Sequence, residues 1–288
     1  MKKLILMVTT VALLSFPTKN FGQAPNLGTA ANFVLFSSNG AVTNSGISHL
    51  TGHVGTNNGS SVFFGNVDGV MHDQDGASGQ AATDLLLAYN QLNATVPTFF
   101  PAPLLGNGQV LNPGVYSISG AATLNLDLTF NALGNVNAVF IIKISGPLST
   151  NALSKVKLIN GAKACNVFWK IEGLVSMAAG TSMKGTIIAN NAAINMNAGD
   201  TLEGRALSTT GAITIDGLFA YTPIGCGSPF LTGPAAPALA STSCFAIFSS
   251  DGPVTNTGIT YATGNIGTNL GLTTGFNTLN VVGVVHHI

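Results

Sequence analysis

The middle of the chain repeats with a period of 19 residues, and this repeat limits the folds that the chain can adopt. Residues 161–179, 180–198 and 199–217 align without gaps, and each segment begins with a glycine. Apolar residues recur at two fixed positions, which are occupied by Val175, Ile194 and Ile213 and by Met177, Met196 and Ile215. A period near 20 with alternating apolar residues is typical of a solenoid, in which each coil stacks short strands on those of the coil before it.

The segments upstream of this repeat are less regular but also indicate strands. Alternating apolar and small polar residues predict strands over 115–118, 122–130, 138–144 and 156–159. The run of five apolar residues over 138–142 is typical of a strand that is covered on both sides.

One segment has the period of a helix instead. Residues 75–93 place six side chains on one helical face, namely Ala81, Ala82, Leu85, Leu86, Tyr89 and Leu92. Asp73 or Asp75 can cap the N-terminus, and Pro97 lies beyond the end. Because a single amphipathic helix needs an apolar partner, we expect it to pack against the side of the solenoid.

A second, longer repeat relates the two ends of the chain. Residues 31–57 and 243–269 are identical at 15 of 27 positions without a gap. The preceding residues, 227–242, are rich in Pro, Ala, Gly, Ser and Thr, which is typical of a linker. The sequence therefore predicts a main domain over 25–226, a linker over 227–242, and a truncated second copy of the N-terminal part of the domain over 243–288.

The first 24 residues have the features of a secretory signal peptide. Lys2 and Lys3 precede an apolar run over 4–16, and Gly22 and Ala24 supply small residues for a cleavage site. This run is too short to cross a bilayer, and no later run reaches the roughly 18 apolar residues that a spanning helix needs. We therefore expect an exported protein without a membrane span, released into the medium or held at the cell surface.

The composition excludes several kinds of partner. Charged residues make up 7% of the chain, against about 25% in an ordinary soluble domain, and the formal net charge is zero. No basic surface is therefore expected that would attract nucleic acid or anionic lipid.

The few acidic side chains do not form a catalytic pattern. Solenoid enzymes that act on polysaccharides need clustered carboxylates, whereas the acids here fall on different coils, at Asp127, Glu172, Asp200, Glu203 and Asp216. His49 and His53 are close in sequence, but no cysteine or acid lies at a zinc-type spacing from them. The sequence therefore predicts a protein without catalysis, cofactor or metal.

The 19-residue repeats also predict what the coils expose. If Val175, Ile194 and Ile213 point inward, one outward column consists of Leu174, Ala193 and Ala212, and a second consists of Ser176, Asn195 and Thr214. Stacked strands lie about 4.8 Å apart, and alternate residues along a strand lie about 6.7 Å apart. The solenoid would thus hold methyl and small polar groups on a flat, rigid grid. Such a grid can order surface water, which favours ice as a partner, although any solenoid face must display small residues.

Residues 26–222 resemble the microbial ice-binding protein family. The resemblance is carried, in the order typical of the family, by Leu27–Phe33, Thr51–Gly55, Leu111–Tyr116, Asn166–Trp169, Gly185–Ala189 and Gly204–Leu207. It implies an irregular, three-faced, right-handed β-solenoid with one long α-helix alongside, which binds an ice crystal surface as a monomer. By position, the family's ice-binding face would include Thr123, Ser149, Ser176, Asn195, Ala212 and Thr214. Leu174 and Ala193 from the outward column complete the predicted site.

Cys165, Cys226 and Cys244 are the three cysteines of the chain. An exported chain meets an oxidising compartment, so one disulfide and one thiol are expected. The resemblance favours a Cys165–Cys226 disulfide, because both cysteines belong to the complete copy and would bracket its last coils.

An alternative function is a cell-surface or extracellular-matrix adhesion module, which the tandem copy and the linker indicate.

Overall fold

The structure, a computed structural model, describes residues 22–225 and 239–286, and short parallel strands are the main regular elements of this part of the chain. The chain divides into two units, Met1–Gly233 and Pro234–Ile288, which we call unit 1 and unit 2 and describe separately. Residues 1–21 of the expected signal peptide, Cys226 and residues 227–238 of the expected linker lie outside the described residues.

The strands of unit 1 are two to eight residues long. In chain order they are β1 (Phe33–Ser37), β2 (Val42–Ser45), β3 (His49–Thr51), β4 (His53–Thr56), β5 (Ser61–Val62), β6 (Val67–Asp68), β7 (Met71–Asp73), β8 (Leu104–Gly106), β9 (Gln109–Leu111), β10 (Gly114–Ile118), β11 (Ala122–Asn125), β12 (Asp127–Asn131), β13 (Phe140–Ile144), β14 (Leu148–Thr150), β15 (Lys155–Ile159), β16 (Val167–Ile171), β17 (Val175–Met177), β18 (Ser182–Ala189), β19 (Ile194–Met196), β20 (Thr201–Ser208), β21 (Ile213–Asp216) and β22 (Phe219–Tyr221). Short 3-10 helices at Gly28–Asn32 and Ala164–Asn166 precede β1 and β16.

These strands pair in three parallel stacks. The first, which we call the helix-side face, runs in the order β10, β13, β16, β18, β20, β1, β4, β7. The second, the small-residue face, runs in the order β8, β11, β14, β17, β19, β21, β2, β5. The third, the charged face, contains β9, β12, β15, β22, β3 and β6 together with the first halves of β18 and β20. The predicted, mainly β solenoid is therefore confirmed.

The order of the stacks differs from the order of the chain at one point. β1 pairs on one side with β4 and on the other with β20, and β2 likewise lies between β5 and β21. The N-terminal coils of unit 1 thus stack on the coil formed by residues 201–221, which is the last one in the sequence.

The inward side chains form one continuous apolar core. Val175, Ile194 and Ile213 are fully buried, as the repeat predicted. Trp169 is also fully buried, and its indole Nε1 donates a hydrogen bond of 3.0 Å to the carbonyl oxygen of Lys184. Buried apolar area of this kind stabilises a fold by about 25 cal/mol per Å², so the core is the main source of stability.

β18 and β20 pass from the charged face to the helix-side face at two aligned glycines. Gly185 has a φ of +105°, and a Cβ atom on it would lie 2.5 Å from the carbonyl oxygen of Val167. A Cβ atom on Gly204 would lie 1.9 Å from the carbonyl oxygen of Gly185. The glycines at this corner are therefore required by the close approach of successive coils.

One strand predicted for unit 1 needs correction, and a second prediction is confirmed. The strand predicted over 122–130 is divided into β11 and β12, because Leu126 adopts a left-handed conformation with φ of 54° and turns the chain at a corner. The run over 138–142 is covered on both sides, as predicted: Phe140 and Ile142 face the core, and Ile141 faces the helix.

The predicted helix, α1, spans Gly76–Ala94 and packs on the helix-side face. The Asp75 side chain accepts a hydrogen bond of 2.8 Å from the Ser78 backbone N–H, and Ser78 Oγ accepts one from the Asp75 N–H. The buried stripe of α1 consists of Ser78, Ala81, Leu85, Ala88 and Leu92. The inclusion of Leu86 in the apolar face was wrong, because it lies about 100° around the helix from Leu85 and is 53% exposed.

Unit 2 contains six short strands. They are β23 (Phe245–Ser249), β24 (Val254–Thr255), β25 (Ala262–Thr263), β26 (Asn265–Thr268), β27 (Thr273–Thr274) and β28 (Val281–Val282), with 3-10 helices at Ala240–Cys244 and Thr278–Asn280. β23 pairs with β26, β24 with β27, and β25 with β28, all in parallel. Their small core consists of Val254, Ile266 and Val281.

Candidate functional site

All the predicted site residues lie on the small-residue face of unit 1. One column of outward side chains passes through successive strands in direct Cα register and consists of Thr123, Ser149, Ser176, Asn195 and Thr214. We call it the hydroxyl column, since four of its five members carry a hydroxyl group. The 19-residue period therefore placed Ser176, Asn195 and Thr214 correctly in one column, and Thr123 and Ser149, which were taken from the family resemblance, lie in the same column.

The structure adds a residue that the sequence analysis missed. Thr43 on β2 is the Cα partner of Thr214 and continues the hydroxyl column. The missed signal is a local similarity: Gly40-Ala41-Val42-Thr43 and Gly211-Ala212-Ile213-Thr214 share the pattern Gly-Ala-β-branched-Thr. The period alone could not show it, because the N-terminal coils lie outside the 19-residue repeat.

A second column, the methyl column, lies beside the first. The backbone N–H groups of Ile213, Ile194 and Val175 donate to the carbonyl oxygens of Ala41, Ala212 and Ala193, at 2.9 to 3.0 Å. This ladder places Ala41, Ala212 and Ala193 next to one another. The next two positions are Leu174 and Pro147, whose carbonyl oxygens accept from Leu148 and Ala122. The column is therefore made of alanines at one end and interrupted by larger side chains at the other.

The small-residue face is held rigidly. Its strand pairs run without a register shift, whereas the β1–β4 pair on the helix-side face contains one. Thr123 Oγ1 and Ser149 Oγ lie 3.0 Å apart and share a hydrogen bond. At the border of the face, the Asn125 amide donates to Asn107 Oδ1 at 2.8 Å and accepts from Asn151 at 2.8 Å. Such ladders fix the spacing of the surface groups.

The other two faces of unit 1 do not offer such a surface. α1 covers the helix-side face. The charged face carries ion pairs between Lys157 Nζ and Asp127 Oδ2 at 2.5 Å and between Lys184 Nζ and Glu203 Oε2 at 2.7 Å. Long charged side chains of this kind are strongly hydrated and adopt many rotamers, so they do not form a fixed grid.

Glu172 and Asp200 also have structural partners. Tyr89 Oη on α1 donates a hydrogen bond of 2.7 Å to Glu172, which also forms an ion pair with Lys170. Asp200 is 1% exposed and accepts hydrogen bonds of 2.8 Å from the backbone N–H groups of Thr181 and Asn197. Burial raises the pKa of Asp200 to about 6, against the opposing effect of these donors.

The two histidines that are close in sequence lie on different faces. His49 is on β3 of the charged face, and His53 is on β4 of the helix-side face. Among residues 22–225 and 239–286, no group of three or more His, Cys, Asp or Glu side chains is placed to hold a metal ion. Within the same part of the chain, no helix has the length and apolar character needed to cross a membrane.

The cysteines are partly described. Cys165 is disulfide-bonded, and Cys244 is an exposed free thiol. Cys226, the expected partner of Cys165, lies outside the described residues, so the pairing stays a prediction.

Comparisons with known proteins agree with this architecture. A model of the ice-binding-like protein family matches residues 36–218. The ice-binding protein of Nostoc sp. (strain HG1) is 35% identical over 220 residues, which cover 75% of this chain and 81% of that relative. The ice-binding protein of Colwellia sp. is 32% identical over 212 residues, which cover 67% of this chain and 81% of that relative.

Solved structures show the same relationship. The crystal structure of an ice-binding protein from an Antarctic Flavobacteriaceae bacterium is 60% identical, with a TM-score of 0.72. That match covers 92% of this chain, and this chain spans 63% of the length of that one. A domain of Shewanella frigidimarina ice-binding protein 1 is 27% identical, with a TM-score of 0.64 over 70% of this chain. The strand stacks, the helix beside them and these similarities show that the chain belongs to the ice-binding-like protein family.

Proposed function

We propose that this protein binds ice through the small-residue face of unit 1. The observation that carries the proposal is the unbroken Cα register of the hydroxyl column, from Thr123 through Thr214 to Thr43. The names of the relatives point to the same ligand, since each is described as an ice-binding protein.

The chemistry of the two columns suits a crystalline water surface. Hydroxyl and amide groups can exchange hydrogen bonds with surface water, while the methyl groups of Ala41, Ala193 and Ala212 limit the ways in which that water can turn. Because the strands are about 4.8 Å apart and cannot slide, the water between the columns is held in a repeating pattern. Such a pattern can match only a partner whose surface repeats in two dimensions, and the surface of an ice crystal repeats in this way.

The lack of charge on this face supports the same partner. No member of either column is an acid or a base. A charged side chain holds its own hydration shell strongly, so it would resist incorporation of the surface into a lattice. The proposed binding therefore needs no catalysis and no cofactor.

A substitution on the face tests the proposal. Thr214 and Ala212 are exposed, so tyrosine at either position would stand above the grid. We expect Thr214→Tyr and Ala212→Tyr to reduce ice-recrystallisation inhibition and thermal hysteresis, while the free energy of unfolding changes by no more than about 0.5 kcal/mol.

Thr129→Tyr is the matched control, because Thr129 points outward from β12 on the charged face and has Lys157 as its Cα partner. Its ice activity should equal that of the parent chain. Equal activity of all three variants in an active parent would place the ice-binding face elsewhere. An inactive parent would refute ice binding itself.

The location and assembly of the protein belong to the same proposal. Export is supported by the signal-peptide features of residues 1–24. We propose a monomer that acts outside the cell, because a grid of surface groups needs no second subunit. No observation on the described residues favours the adhesion alternative.

A further inference from the structure

Two histidine rings lie against each other at one end of the helix-side face of unit 1. His53 on β4 and His72 on β7 are arranged edge to face, with ring centroids 4.9 Å apart. Both rings contact the buried ring of Phe33 on β1, whose centroid lies 5.6 Å from that of His53 and 5.7 Å from that of His72. Because the rings are partly buried and close together, a charge on His72 disfavours a charge on His53.

The ring of His53 holds the turn between β6 and β7. The backbone N–H of Val70 donates a hydrogen bond of 3.0 Å to His53 Nδ1. A ring nitrogen that accepts a hydrogen bond carries no proton, so the ring that makes this contact is neutral, with its proton on Nε2. A second proton on Nδ1 would convert the acceptor into a donor, and the Val70 N–H would lose its partner.

The position of His72 is fixed by the N-terminus of α1. Its Nδ1 lies 2.7 Å from Oδ2 of Asp75, the N-cap residue. Hydrogen bonds from the Ser78 backbone and from His72 lower the pKa of Asp75 to about 2, so this carboxylate is ionised in mild acid. Burial and the neighbouring His72 lower the pKa of His53 from its ordinary value of 6.5. The folded state therefore resists a proton that the unfolded chain accepts, and acid weakens this part of the fold below pH 6.5.

The other charged groups near His53 have their own partners or lie apart from its ring. Asp68 on β6 is exposed. Asp73 at the end of β7 accepts hydrogen bonds of 2.6 and 2.7 Å from the hydroxyl and the N–H of Ser61. Arg205 lies on β20, on the far side of β1, and its guanidinium donates to a backbone carbonyl oxygen before β1 at 2.8 Å. His72 is therefore the ionisable side chain that acts directly on the His53 ring.

Unit 2 makes the same contact without a histidine. Residues 67–72 and 281–286 read VDGVMH and VVGVVH, so Val284 is the counterpart of Val70. The Val284 N–H donates a hydrogen bond of 3.0 Å to Asn265 Oδ1, and Asn265 is the counterpart of His53 in the long repeat. An amide oxygen accepts a hydrogen bond in neutral and in acidic solution, whereas an imidazole nitrogen accepts one only while the ring is neutral. The contact in unit 1 therefore depends on pH, and the contact in unit 2 does not.

The turn that His53 holds belongs to residues 61–73, which we call the terminal coil. Its strands β5, β6 and β7 lie at the end of the three stacks, and each pairs with only one strand among the described residues. A coil with a neighbour on one side has fewer contacts than an inner coil and opens more easily. The loss of the Val70 contact would therefore act on a part of the fold that has little other support.

We propose that His53 is an acid-sensitive switch for the terminal coil. While its ring is neutral, it holds the turn between β6 and β7 through Val70. When the ring takes up a second proton on Nδ1, this hydrogen bond is lost, and the terminal coil loosens while the inner coils stay folded. The proposal does not rest on ice binding, because His53 and His72 lie on the helix-side face and not on the small-residue face.

Amide hydrogen exchange of the full chain, followed by NMR, tests this proposal. We expect the protection factor of the Val70 amide, which is corrected for its intrinsic exchange rate, to fall by about threefold or more between about pH 7.5 and pH 5, with the same midpoint as the titration of the His53 ring. The Gln74 amide, which donates to the carbonyl oxygen of Thr56 at 2.9 Å, should lose protection with it. Val284 in the same sample is an internal control and should not change over this range.

His53→Asn is the matched variant, because asparagine supplies the acceptor that Asn265 supplies in unit 2. In this variant, the Val70 amide should keep its protection in acid. Equal pH dependence in the parent and the variant would overturn the proposal, as would a midpoint in the parent that differs from that of the His53 ring. Loss of protection at Val70 alone would also overturn it, since the terminal coil would then stay in place. If the variant does not form the contact, the agreement of the two midpoints in the parent decides.

Discussion

Thr43 and Thr214 lie side by side on the small-residue face, although they belong to the first and last thirds of the residues that form unit 1. Their pairing joins the hydroxyl column of the 19-residue repeats to that of the N-terminal coil. The candidate ice-binding face is therefore longer than the repeats alone.

Thr43→Tyr tests this continuity. Since Thr43 adjoins Thr214, we expect the tyrosine to reduce thermal hysteresis as much as Thr214→Tyr does, with a change in unfolding free energy of no more than about 0.5 kcal/mol. Thermal hysteresis and thermal unfolding are measured on the same samples. Full activity of Thr43→Tyr beside an inactive Thr214→Tyr would restrict the ice contact to the repeats.

Leu174→Ala tests the interruption of the methyl column. Leu174 is 41% exposed and follows Ala193 in the column, so its side chain rises above the level of the alanines. We expect the alanine to extend the grid by one coil and to raise ice-recrystallisation inhibition, at a stability cost below about 1 kcal/mol. Ala193→Leu is the converse variant and should lower activity. A decrease with Leu174→Ala would instead show that ice contacts the leucine itself.

Asp200 gives a pH dependence of stability with a definite sign. Its pKa rises from 3.8 to about 6 on folding, so between these values the folded state binds more protons than the unfolded state. Its contribution to the free energy of unfolding therefore falls as pH rises from about 4 to 6 and stays constant above that range. Burial and His72 lower the pKa of His53, which adds a contribution of opposite sign as pH approaches 6.5.

The comparison of Asp200→Asn with the parent separates these two effects. As pH rises from 4 to 6, the free energy of unfolding of the parent should fall relative to that of the variant. Urea unfolding at several pH values measures this difference. A difference that is independent of pH in this range would contradict the assignment to Asp200.

Gly204→Ala tests the corner between the charged and helix-side faces. The new methyl group would lie 1.9 Å from the carbonyl oxygen of Gly185, which belongs to the backbone and cannot rotate away. We expect a loss of about 1–3 kcal/mol or more in the free energy of unfolding. Gly76→Ala is the control, because no atom lies within 4 Å of its Cβ position, and it should unfold at or above the parent temperature. Equal stability of both variants would show that successive coils can separate at this corner.

Local periodicity was sufficient to predict the parts of the fold that repeat in sequence. The 19-residue period placed Ser176, Asn195 and Thr214 in one column, and Val175 in the core, because stacked coils of equal length repeat their environment. The helix followed from the spacing of Ala81, Leu85 and Leu92. Leu86 was misplaced because a leucine at the border of an apolar stripe has the same sequence signal as one inside it.

Pairings between distant segments could not be predicted in the same way. Nothing in the period shows that β1 stacks on β20, so Ala41 and Thr43 were absent from the predicted site. The bend at Leu126 was also missed, because a left-handed conformation is usual for glycine or asparagine and not for leucine. The identity of a single residue gives little information about a long-range strand pairing or about a bend of this kind.

The stacking of β1 on β20 has a consequence for the time at which the protein can fold. Strand β1 is synthesised early, but its neighbour β20 becomes available only after residues 201–208 have been synthesised. The N-terminal coils and α1 must therefore wait, partly unpaired, until almost all of unit 1 is available. Contacts between such distant segments close slowly, and waiting strand edges are prone to aggregation. A chain whose first strands find their last neighbour near the end of unit 1 is therefore expected to complete its fold only after the synthesis of unit 1 is complete.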